Sequence, residues 1–114
     1  MEAGRRGWLV RDGQVLASLE VAETRAARMR GLLGRDGLDG AILLLPARSV
    51  HTFRMRFPLD VAFLTDDLVV LRVMTMAPWR LSLPVLRARA VLEAEAGAFR
   101  SWGLTVGDHL DVKE

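Results

Sequence analysis

Leu59-Asp-Val-Ala-Phe-Leu64, Thr65-Asp-Asp67 and Leu68-Val-Val-Leu-Arg-Val-Met-Thr-Met76 decide the fold. Two apolar, β-branched runs of strand length flank three polar residues, which is the chemistry of a hairpin. The first run carries one charge, Asp60, on the face it shares with Ala62 and Leu64. The same texture continues on both sides. Ala41-Ile-Leu-Leu-Leu45 is apolar on both faces and too short for a helix between glycine and proline. Val50 to Phe57 alternates, so His51, Phe53, Met55 and Phe57 are expected on the inner face and Thr52, Arg54 and Arg56 on the other. Trp8-Leu-Val10, Arg11-Asp-Gly13 and Gln14 to Val21 read as strand, tight turn, strand, because Asp-Gly supplies positive φ. Ala90 to Ala96 alternates again, with Val91, Glu93 and Glu95 on one side. A turn or helix over Gly97 to Gly103 leads to a last strand near His109–Val112.

One segment has helical spacing. Thr24 suits an N-cap, Ala26, Met29 and Leu33 recur on one side, and Gly34 suits the C′ position. One short helix near residues 24–33 is therefore expected, with Gly31 inside it costing ~1 kcal/mol relative to alanine. Seven or eight short strands and one helix predict a mainly β chain, a sandwich or barrel. Residues 1–7, rich in glycine and arginine, read as a flexible N-terminus, and 8–114 as one domain. The connection from Ala77 to Arg89 is long for a small domain and holds Pro78, Trp79, Pro84 and several leucines. Such loops carry function or cap an open end of the core.

With 114 residues, 51% hydrophobic, the chain has room for one core burying roughly 65% of its unfolded surface. The absence of cysteine excludes disulfides, thiolate zinc sites and cysteine nucleophiles. The longest apolar run, Ala41 to Leu45, is far below the ~20 residues of a membrane span. Trp8–Val10 among charges is no signal-peptide core, so a cytoplasmic location is expected. Sixteen basic residues, of which Lys113 is the only lysine, face fourteen acidic ones. That small excess gives little long-range field and does not argue for nucleic acid.

No phosphate-binding glycine loop, zinc-protease motif or nucleophile elbow occurs. His51 and His109 are the only imidazoles, and no metal or cofactor is expected. The candidate ligand-binding residues are His51, Arg54, Arg56, Asp60 and Glu93. His51 and Asp60 each have a structural reading as well, the first as a core-edge histidine and the second as a paired carboxylate. Arg54 and Arg56 project together, as do Glu93 and Glu95, so the two pairs would either bridge neighbouring strands or line a polar groove. Three functions follow. The first is a non-enzymatic binding or accessory domain, its groove built from Arg54, the 77–89 loop and Asp60, for a small polar ligand or a protein partner. The second is a hydrolase-like enzyme on a sugar or small polar metabolite using Asp60 and Glu93. The third is a nucleic-acid binder using Arg25, Arg28, Arg30 and Arg35.

Arg28-Met-Arg-Gly-Leu-Leu-Gly-Arg35, the stretch from His51 to Phe63 with its Pro58-Leu-Asp60, Val91-Leu-Glu93 with Gly97, and Gly107-Asp108 occur in this order. Together they resemble a prokaryotic family called domain of unknown function 192, over about residues 14–112. The resemblance implies a mostly β domain of jelly-roll-like sandwich type with a short helix, and it implies no reaction. Ala27 stands where that family often has glutamate, and Leu33 where it often has methionine, a swap that preserves volume. Many relatives carry an export signal or anchor, and none is expected for this sequence.

Overall fold

The structure, a computed structural model, describes residues 5–24, 27–28 and 34–114. Its strands are β1 (Arg5–Arg11), β2 (Gln14–Ala22), β3 (Ala41–Leu44), β4 (Leu59–Leu64), β5 (Val70–Met76), β6 (Ala90–Glu95) and β7 (Asp111–Lys113). A short helix, α1 (Ala98–Trp102), follows β6. The mainly β class expected from the sequence is the class observed, built as one seven-stranded mixed sheet in the order β5-β4-β6-β3-β2-β1-β7. Every pairing is antiparallel except β2 with β3. That parallel step needs a crossover, and residues 23–40 supply it.

Local chemistry explains the turns. Asp12 and Gly13 both have positive φ, 52° and 79°, as a two-residue hairpin turn requires. Gly40, at φ 92°, leads into β3 where any Cβ would strike Ser18 of β2, so only glycine lets the two strands run side by side. The Thr24 hydroxyl accepts the Ala27 amide at 3.0 Å, and Ala27 and Arg28 are helical. The expected cap is therefore made. The rest of the helix expected over 24–33 lies outside the described residues. The first strand includes Arg5–Gly7, which the sequence reading leaves in a loose N-terminus. Those residues pair with Leu19–Val21, and Arg5 is fastened to Glu23 and Glu114.

The sheet rolls until its edges meet. Leu110 N–H donates to Leu68 C=O at 2.9 Å, Val70 N–H to Asp108 C=O at 2.9 Å, and Gly107 N–H to Val70 C=O at 2.8 Å. One face gathers Leu9, Leu19, Leu43, Leu64, Leu92, Phe99 and Leu110. The other carries Ile42, Leu59, Val61, Phe63 and Val91 beneath Val50, Met55, Phe57 and Ala88 from irregular segments. The central strands β3, β4 and β6 are thus covered on both sides, which is why Ala41–Leu44 is apolar at every position. Among the described residues no helix is long and apolar enough to cross a membrane.

Candidate functional site

Asp60 and Glu93 are both buried, but they do not share a site. Asp60 sits opposite Ala94, while Glu93 sits opposite Val61 and Ile42, one register position away. A shift of one residue turns side chains to opposite faces of a sheet. Asp60 points with Ala62 and Leu64 and is fully engaged: Oδ1 accepts the Thr75 hydroxyl at 2.8 Å, and Oδ2 accepts the Gly97 and Phe99 amides at 2.9 and 3.1 Å. It satisfies the first amides of α1, which have no partner inside so short a helix. Glu93 lies among apolar neighbours, and desolvation pushes its carboxyl up from 4.5 to about 7. Among the described residues no side chain pairs with it.

Arg56 pairs with Asp36 at 2.7 Å, rather than with a glutamate of β6. Residues 50–57 also depart from the expected strand. A single bridge, His51 to Leu81, is followed by a turn in which Arg54 has φ 64°. Phe53, expected inside, is exposed; Thr52, expected outside, is wholly buried. The reason is a polar anchor. The Thr52 hydroxyl donates to Ala77 C=O at 2.6 Å and accepts the Arg80 amide at 2.8 Å. Its backbone N–H donates to Arg80 C=O, and its carbonyl accepts the Trp79 amide, both at 2.8 Å. Buried Ser82 clasps Val50 in the same manner, its hydroxyl accepting the Val50 amide at 2.9 Å. Two hydroxyl residues thereby tie the 50–54 turn to the 77–82 loop. An alternation count cannot register this, since it treats threonine and serine only as polar.

The anchored segments form a tip of exposed apolar side chains. Phe53 is 41% exposed, Trp79 61%, Leu81 67%, Leu83 82% and Leu86 77%. His51 stacks on Phe53 with ring centroids 5.1 Å apart, and Phe53 meets Trp79 at 6.3 Å. Trp79 has φ 64°, a rare backbone state for a bulky residue, held here by its amide bond to Thr52. Beside the tip lies a cleft of about 240 Å³ lined by Phe63, Met74, Leu81, Leu83 and Val85, with Arg72 on its wall. Residues 46–58 and 72–89 contain seven arginines and no carboxylate. Among the described residues only Arg56 of these seven is ion-paired, and all seven are exposed. The tip therefore joins His51 and Arg54 of the expected site to the 77–89 loop, and leaves Asp60 and Glu93 out.

Of the other arginines considered for nucleic acid, Arg28 and Arg35 are occupied. Arg28 donates to the Glu23 and Leu45 carbonyls at 2.7 and 3.1 Å, and Arg35 pairs with Glu20 at 3.0 Å. Arg25 and Arg30 lie outside the described residues. His51 and His109 bridge different segments, and among the described residues no cluster of three metal-ligating side chains occurs.

The sequence profile of the DUF192 family, described as Uncharacterized ACR, matches residues 8–112. The chain belongs to this family. A UPF0127 protein of the archaeon Pyrococcus horikoshii is 30% identical over 97 residues, covering 81% of this chain and 84% of its own. Another, of Thermococcus gammatolerans, is 32% identical over 104 residues, covering 84% and 68%. Among solved structures, a protein of unknown function from Novosphingobium aromaticivorans superposes with a TM-score of 0.77 at 25% identity, over 93% of this chain and 83% of that one. A proposed transcription regulator from Sinorhizobium meliloti superposes at 0.82 with 20% identity, over 98% and 97%, a likeness of fold alone. DUF192 thus supplies a fold and no reaction.

Proposed function

We propose that this DUF192 chain is a non-enzymatic binding or accessory domain whose binding surface is the tip formed by residues 51–54 and 77–86. The observation that carries this reading is the contiguous exposure of Phe53, Trp79, Leu81 and Leu83 on a backbone fixed by buried Thr52 and Ser82. Exposed apolar patches on rigid supports mark interaction sites. The groove expected from sequence was polar; the tip is apolar, with cations around it. Its ligand would combine an apolar body with anionic groups. The division of Asp60 and Glu93 between opposite faces removes the support for paired-carboxylate hydrolysis, which requires both groups on one cleft.

The anionic dye 1-anilinonaphthalene-8-sulfonate, with its aromatic body and single sulfonate, tests the reading. The native chain should enhance its fluorescence, whereas well-packed native proteins bind it poorly. The double substitution Trp79→Ser with Leu83→Ser should abolish the response and change stability by no more than about 0.5 kcal/mol per exposed site. Dye binding that survives this change, or that disappears in Glu93→Gln, would place the surface elsewhere.

A further inference from the structure

We infer that the tip docks on the surface of an anionic lipid bilayer, its leucines and Trp79 entering the interfacial layer and its arginines meeting the headgroups. The inference rests on the reading of the tip as the binding surface and names its occupant. Two independent features point there. Leu81, Leu83 and Leu86 stand out at exposures where a peptide-binding pocket would instead have recessed anchors. Around them Arg48, Arg54, Arg72, Arg80, Arg87 and Arg89 carry no ion pair among the described residues, and the two segments contain no carboxylate to repel lipid phosphates. Apolar side chains at the acyl boundary, cations at headgroup depth and an aromatic ring between them match the layers of a membrane interface. A single-stranded nucleic acid would use the arginines and the rings of His51, Phe53 and Trp79. It would leave the three leucines in water, and the leucines favour lipid.

Sedimentation of the whole chain with large vesicles gives the test. Vesicles of phosphatidylcholine with about 25% phosphatidylglycerol should carry the protein down, and pure phosphatidylcholine should not, because the headgroup charge supplies much of the attraction. Trp79 emission should shift to the blue on binding. Trp79→Phe should remove that shift while keeping the protein on the vesicles. Arg80→Gln and Arg87→Gln should each weaken partitioning about fivefold. Leu83→Ser with Leu86→Ser should weaken it by roughly tenfold or more. No sedimentation with anionic vesicles, equal sedimentation with neutral ones, or indifference to Leu83 and Leu86 overturns the inference. So does tight, salt-steep binding of a fluorescent oligothymidine in place of vesicles. Should vesicles fail while dye binding still depends on Trp79 and Leu83, the lipid is refuted and the binding surface stands. Loss of both refutes the two together.

Discussion

At the scale of single residues, three buried polar groups do three different jobs. Asp60 is structural. Asp60→Ala would strand the Gly97 and Phe99 amides and the Thr75 hydroxyl, and should cost about 3 kcal/mol in urea denaturation. Asp60→Asn should cost less than about 1.5 kcal/mol, because its amide oxygen keeps the backbone donors while the Thr75 hydroxyl rotates to accept. Thr52→Val preserves shape and removes the hydroxyl that bonds Ala77 and Arg80, so two part-buried hydrogen bonds are lost. A loss of about 2 kcal/mol is expected. Glu93 sets a pH dependence. With its carboxyl raised from 4.5 to about 7, the folded chain holds a proton over that window that the unfolded chain has released. Stability therefore falls as pH rises from 4.5 through 7, by up to about 3 kcal/mol. Glu93→Gln should flatten this slope, measured as denaturation midpoints at several pH values; an unchanged slope would show that another group sets it.

At the scale of elements, strands bounded by sharp turns were legible, and anchored loops were not. The hairpin at Asp12-Gly13, the strand after Gly40 and the β4–β5 pair announce themselves, because turn chemistry and apolar runs are local properties. The 50–57 segment has strand alternation without strand pairing. Its backbone bonds go to the 77–82 loop through Thr52 and Ser82, a partner some thirty residues away that no local pattern can name. The placement of the candidate residues was legible only in part for the same reason, measured against the proposed surface. His51 and Arg54 lie at the tip, whereas the division of Asp60 from Glu93 depends on strand register, which is nonlocal. The revised facing gives a mutational contrast. Met55→Ala, in the core, should cost about 2–4 kcal/mol, whereas exposed Phe53→Ala should cost less than about 1.5 kcal/mol. Equal losses in chemical denaturation would restore the regular strand.

At the scale of the whole molecule, the rolled sheet is closed along one seam. Bonds between 68–70 and 107–110 close the edges, and the Arg11–Asp108 pair at 2.9 Å reinforces this seam. The Thr105 amide and Arg11 hold the Asp108 carboxyl below its usual range. Acid that protonates Asp108 therefore removes a stabilising contact, and this contribution is present only above that lowered range. Closure keeps strand edges from offering themselves to partners, which is consistent with the proposed binding surface lying on the loops. The 77–89 connection could have bent its leucines inward over the core; it holds several of them in water. The most direct measurement is amide chemical-shift mapping of the folded chain during titration with dihexanoyl phosphatidylglycerol kept below its micelle concentration. The account predicts saturable shifts concentrated at His51–Arg54 and Trp79–Leu86, with Asp60 and Glu93 unmoved. Shifts centred on Glu93 or on the β1–β2 hairpin, or none at all, would contradict it.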